Sequence, residues 1–308
     1  MESVDTAFLE QRLVKLRETA VSRPQLPVED LCLLVLALRE HNDAGDQRAL
    51  ERLLSLQNRD GSWPCFAGGD REGSWVTALA LTALLADGSA PDKVAIAIDW
   101  LTRSRGREAR WFWQWKFRTI DTSVPFDPSA FGWSWVPGTT SWVIPTAFTL
   151  IALRQSETAS PRAHGTRRER VETGARMLFD RACPGGGWNA GNSVGFGVPY
   201  AAYPDATAIA LLALKGYEQQ PCVDASMAWL LRRISGCSSP SSLAWAILAL
   251  TSYRHVRADM QESISAIARR LIALLEKNVT GFDGTTLAVS LMALEAIGNG
   301  RHVFEVPA

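Results

Sequence analysis

The stretch 203–214, YPDATAIALLAL, sets one acidic residue, Asp205, at the threshold of a run that is otherwise almost wholly apolar. A segment without a polar face suits a helix buried on all sides better than one lying on a surface. The pattern recurs along the chain. WVTALALTALLA at 75–86, IPTAFTLIAL at 144–153, SSLAWAILAL at 241–250 and TTLAVSLMAL at 285–294 repeat it, and VEDLCLLVLAL at 28–38 is a looser first copy. Related copies spread over a whole chain are the mark of a repeat architecture.

Between these runs lie segments with a single apolar stripe, among them Phe8, Leu9, Leu13 and Leu16, then Val94, Ile98 and Leu101, and later Val223, Met227 and Leu230. Spacings of three and four place each set on one side of a helix. The alternation predicts outer helices paired with inner ones, an all-α chain of αα-hairpins. With no linker or composition break to divide it, the expected arrangement is a closed α6/α6 toroid, one domain over 1–308. An open solenoid of the same hairpins is the alternative, since it too buries each repeat against its neighbours.

The 308 residues are 47% hydrophobic and 21% charged, enough apolar material for a core and unlike a disordered chain. Thirty-two basic residues balance thirty-two acidic ones, so no global field favours nucleic acid or an anionic surface. No apolar run reaches membrane-spanning length and the N-terminal stretch has no signal-like core, so the reading is a cytoplasmic protein without a transmembrane segment. Cys32, Cys65, Cys183, Cys222 and Cys237 are scattered and the four histidines lack ligand spacing, so neither disulfides nor a metal is expected.

The outer-to-inner connections deliver the chain to the N-terminal ends of the inner helices, and several are long and rich in Gly, Pro and Trp: 58–74, 105–141, 184–204 and 277–284. Long loops gathered at one end of a rigid scaffold carry function, which puts the working mouth where the inner helices begin. The longest, at 105–141, holds Trp111, Trp113, Trp115, Trp133 and Trp135. In WFWQWKF the aromatic residues Trp111, Trp113, Trp115 and Phe117 alternate, a period of two that predicts a short strand or extended ribbon.

QNRDGSW at 57–63 is a close match to a Q-x-x-D-G-S-W repeat, with GGGW (185–188), FGWSW (131–135) and GFDG (281–284) as weaker relatives. In these residues the chain resembles the terpene cyclase and prenyltransferase β-subunit superfamily, squalene-hopene cyclases included. Asp60-Gly61 makes a turn in the first of them, Trp63 packs its ring, and Gln57 ties a helix end to the loop.

The resemblance implies a toroid that binds isoprenoids in its apolar centre. DATA at 205–208 is similar to the D-x-D-D-T-A and D-C-T-A segments of class II cyclases and places Asp205 at the proton donor's position. Tyr203 and Ala206 stand where those segments carry further acids or a cysteine.

Protonating an alkene requires a carboxyl that is protonated at neutral pH, hence buried, yet acidic when the proton leaves. Tyr203 and Thr207 are the candidate hydrogen-bond donors to Asp205. The travelling positive charge needs π faces around it; Trp75, Trp142 and Trp245 near inner-helix starts, and Phe131, Trp133, Trp135, Phe196 and Tyr200 in the loops, are the candidate substrate-binding residues. Aspartate is also a favoured N-cap, and the corresponding Ser241 and Thr285 could cap without catalysing.

No DDxxD cluster is present for Mg²⁺, and the zinc ligands of protein prenylation have no counterpart, so no cofactor is expected. Loop cations such as Arg105, Arg107 and Arg110 could anchor a diphosphate. The expected activity is therefore class II-type cyclisation of a linear isoprenoid or its diphosphate, with a homo-oligomer or partner subunit closing the cavity. The alternatives are a non-catalytic isoprenoid- or lipid-binding toroid, a partner-dependent prenyltransferase-like subunit, and a carbohydrate enzyme, which would need paired acids in the mouth.

Overall fold

The computed structural model describes residues 6–39, 44–69, 71–159, 164–255 and 260–307. Its α-helices in chain order are α1 (Ala7–Ser22), α2 (Val28–Leu38), α3 (Ala44–Ser55), α4 (Val76–Asp87), α5 (Pro91–Arg103), α6 (Trp111–Thr119), α7 (Val143–Ala159), α8 (His164–Asp180), α9 (Pro204–Ala213), α10 (Pro221–Ile234), α11 (Pro240–Ser252), α12 (Met260–Asn278) and α13 (Gly284–Asn299). A two-stranded hairpin, β1 (Val194–Gly195) and β2 (Val198–Pro199), precedes α9.

The apolar repeats form the inner ring. Neighbours pack in the order α2, α4, α7, α9, α11, α13, and α13 returns to α2, which selects the closed toroid over the open solenoid. A hydrogen bond from Thr285 Oγ1 to Asp30 Oδ1, 2.9 Å long, crosses the closing seam. The inner helices are buried all round, as in α9 from Ala206 to Ala213 and α11 from Leu243 to Thr251. The outer helices bury one stripe each: Val223, Met227, Leu230 and Ile234 on α10, and Ile264, Ile267, Leu271 and Leu275 on α12.

Three loop tryptophans lock outer to inner helices in the same way. The indole N–H of Trp63, Trp133 and Trp188 donates to the carbonyls of Leu53, Leu101 and Leu178 at 2.8, 2.8 and 2.7 Å. Their backbone N–H groups donate to the hydroxyls of Thr77, Thr146 and Thr207 on the following inner helices, each at 2.9 Å. Gln57 makes the expected tie, donating to Gly61 O and, on α5, to Lys93 O. Gly61 has φ +96°, and a Cβ there would lie 2.5 Å from Ile96 O, so the turn requires glycine.

Residues 300–307 close the ring at the C-terminal ends of the inner helices. Gln155 donates to the carbonyls of Val303 and Glu305, Arg154 to Pro307 O, and Arg254 to Gly300 O. His302, half-buried and hydrogen-bonded to Ser252 Oγ at 2.9 Å, has its pKa pushed down to about 4, chiefly by desolvation of the ring. The chain itself thus covers the end opposite the long loops. No helix among the described residues is long and apolar enough to cross a membrane.

Two sequence expectations are corrected. WFWQWKF forms helix α6, because the i,i+4 pair Trp113–Phe117 stacks at 5.7 Å and closes onto Phe126 at 5.1 Å. The aromatics that alternate in sequence therefore divide between two faces of a helix. Ser241 and Thr285 are not caps: Ser239 caps α11 and Asp283 caps α13, their side chains accepting from the backbone N–H of Ser242 and Thr286. At α9 the cap position is Tyr203, and Asp205 lies inside the first turn.

Candidate active site

The buried threonines fix the register of the inner helices. Thr77, Thr146 and Thr207 point outward to hold the loop tryptophans, and the residue two positions earlier lies about 200° around the helix, toward the ring axis. In the order of the ring these earlier residues are Glu29, Trp75, Ile144, Asp205, Ser241 and Thr285. Helices α2 and α9 are opposite members of the ring, so Glu29 and Asp205 occupy facing sides of the mouth.

Beneath them runs a column of aromatic rings. Trp135 meets Trp75 edge-on at 5.1 Å, Trp75 lies 5.7 Å from Phe148, and Phe148 lies 5.6 Å from Trp245. Phe304, fully buried, completes the stack at 5.1 Å from Trp245 and 6.1 Å from Phe148. Trp75 and Trp135 are half-buried at the upper end of this column, Phe148 and Trp245 are buried below them, and Phe304 closes it from beneath.

The two mouth acids have different surroundings. Asp205 Oδ1 accepts the N–H of Ala206 at 2.9 Å. Glu29 is pushed up to about 7, first by burial and then by the neighbouring carboxylates Asp30 and Asp283. Burial also raises Asp30, against the bond from Thr285 and the charge of Arg23. Cys32, one turn below Glu29, is fully buried and raised, burial again leading. Among the described residues no set of His, Cys, Asp and Glu is placed to hold a metal ion, and all five cysteines are free.

Neither a family model nor a curated protein sequence matches the chain. Solved structures do. A structure described as the type II terpene cyclase MstE from Scytonema, in its apo form, is 14% identical, with a TM-score of 0.55 over 96% of this chain and 100% of that one. The chain has a terpene cyclase-like toroid fold. A second structure, of a UGL variant with dGlcA-Glc-Rha-Glc, is 12% identical, with a TM-score of 0.60 over 91% of this chain and 88% of that one.

In this toroid the sequence-selected residues separate into several groups. Trp75, Trp135 and Trp245 join Asp205 on the axis. Trp133 and Thr207 are buried and occupied in holding loops to helices. Phe131 flanks Arg170, whose guanidinium lies 3.6 Å from the Trp133 ring and 4.9 Å from that of Phe131. Trp142 lines a side pocket of about 160 Å³ with Phe117, Phe126, Arg181 and Asn192. Phe196, Tyr200 and Tyr203 are exposed at the rim.

Glu29, Phe148 and Phe304 were not selected from the sequence. Aligning VEDLCLL with PDATAIA places Glu29 opposite Asp205, and Phe148 follows Ile144 by the same four residues as Trp245 follows Ser241. Both were therefore readable from the repeat. Phe304 lies outside it.

Proposed function

We propose that the protein is a class II-type cyclase that folds and protonates a linear polyprenyl substrate in the mouth of the toroid, with Asp205 as proton donor. The observation that carries this reading is the placement of Asp205 in the axis-facing register, above the aromatic column of Trp75, Trp135, Phe148 and Trp245. A substrate filling the mouth lays its apolar chain against the carboxyl and excludes water from it. The ring faces then stabilise the positive charge after protonation. Phe304 limits the depth of the axis, which suits a short polyprenyl chain.

Glu29 favours a second reading. Its carboxyl, raised to about 7, stands on the inner helix opposite that of Asp205, paired acids are the means of general acid–base attack on glycosidic bonds, and the UGL structure with its oligosaccharide shares the fold. The column of aromatic rings below the mouth supports the first reading over this one.

The test incubates wild type, Asp205→Asn and Glu29→Gln with linear isoprenoids of fifteen, twenty and thirty carbons, with their diphosphates, and with unsaturated glucuronyl oligosaccharides. Cyclic isoprenoid product that disappears in Asp205→Asn is the expected result. Equal product from wild type and Asp205→Asn removes the proposed donor, and sugar cleavage that needs both acids establishes the second reading.

A further inference from the structure

Helix α6 is inside out for a soluble protein: Trp113 and Phe117 turn inward, yet Trp111, Phe112 and Trp115 on the opposite face are 80%, 47% and 49% exposed. Ile120, which follows the helix, is 63% exposed. None of the helix's residues is buried. An aromatic face of this kind in water marks a surface that something apolar covers.

A second element presents the same chemistry. The tip of the β1–β2 hairpin is Phe196-Gly197, both with positive φ, +51° and +76°, the geometry of a tight hairpin turn. Phe196 is a bulky residue in the left-handed region, a conformation that side chains of its kind rarely adopt, and its ring is 77% exposed. Backbone N–H of Phe196 donates to Ser123 O at 2.7 Å, which ties the hairpin to the segment following α6. Both elements stand on the rim from which α9 and Asp205 begin.

Cations outnumber acids around this face. Residues 105–120 carry Arg105, Arg107, Arg110, Lys116 and Arg118 against one acid, Glu108. Glu108 is fully buried and accepts the N–H of Ser141, so it neutralises nothing at the surface. Arg105 and Arg110 are exposed; Arg118 is exposed too, 3.6 Å from Asp127. Tryptophan and phenylalanine seated among cations match the boundary between lipid headgroups and acyl chains, where aromatic rings bury their bodies and cations meet anionic phosphates.

We infer that the mouth of the toroid docks on an anionic membrane surface, with α6 and the Phe196 tip lying in the headgroup layer. This inference stands on the surface alone and holds whether or not the chain cyclises isoprenoids.

The test is cosedimentation of the full chain with vesicles of phosphatidylcholine alone and of phosphatidylcholine mixed with phosphatidylglycerol, at low and high salt. Wild type is expected to bind the mixed vesicles more tightly, to release with salt, and to show a blue-shifted tryptophan emission on binding. The Trp111→Ala, Trp115→Ala double variant is expected to bind about tenfold more weakly or worse, and Phe196→Ser to weaken binding further. All of these changes are at exposed positions, and circular dichroism checks that the variants are folded. Absence of wild-type binding, undiminished binding of the variants, or occupation of the same face by a second copy or an oligonucleotide with vesicles left unbound would overturn the inference.

Discussion

Replacing Glu29 with glutamine isolates the cost of keeping a carboxyl at the mouth. Folded, Glu29 sits at about 7 instead of 4.5, so between those values the folded chain holds a proton that the unfolded chain has released. Stability must then fall as pH rises through the window, because the folded state binds more protons than the unfolded state. The interval corresponds to about 3 kcal/mol at about 1.4 kcal/mol per pH unit, an upper bound for a group with part of its surface in water. Glutamine keeps the shape and cannot ionise.

Glu29→Gln should therefore match wild type near pH 4.5 and exceed it by up to about 3 kcal/mol at pH 8, a gain of about 5 °C in Tm for a chain of this length. The assay is thermal unfolding of both proteins at half-unit steps of pH. A stability difference that is constant across the range, or that grows toward acid, would refute the argument that burial and the Asp30 and Asp283 carboxylates hold this proton.

The same cluster makes a spectroscopic prediction: Asp283→Asn removes one of the charges facing Glu29 and should lower the midpoint of the Glu29 carboxyl, followed by carbon NMR of labelled glutamate. Thr207→Val deprives the buried N–H of Trp188 of its acceptor and should cost about 1–3 kcal/mol in urea unfolding. Thr77→Val and Thr146→Val should cost similar amounts if the three tryptophan locks are equivalent. Phe304→Ala should destabilise the chain by about 3–5 kcal/mol, measured by the same unfolding assay.

The fold was legible because burial leaves a periodic trace. YPDATAIALLAL and its relatives lack a polar face, so they had to be inner helices, and the single stripes between them had to lie outside. QNRDGSW showed its function in the same way: a turn requiring Gly61 and an indole needing a partner are local demands. The α6 segment was misread for a local reason as well. Alternation in WFWQWKF counts residues without knowing which rings meet, and the contact of Phe117 with Phe126 forms only once the loop has folded back.

By itself the sequence determined which segments are helices, which of them are inner and which outer, and which loops carry the tryptophans, since each follows from the apolar pattern of a short stretch. It also placed Asp205 at an inner-helix start. Only the tertiary structure decided that α13 closes on α2, which sets α2 and α9 on opposite sides of the ring, and that Phe304 packs beneath the aromatic column. These depend on residues far apart in the chain meeting around a common axis, and the proton held by Glu29 depends on how much water and how many neighbouring charges that meeting leaves around it.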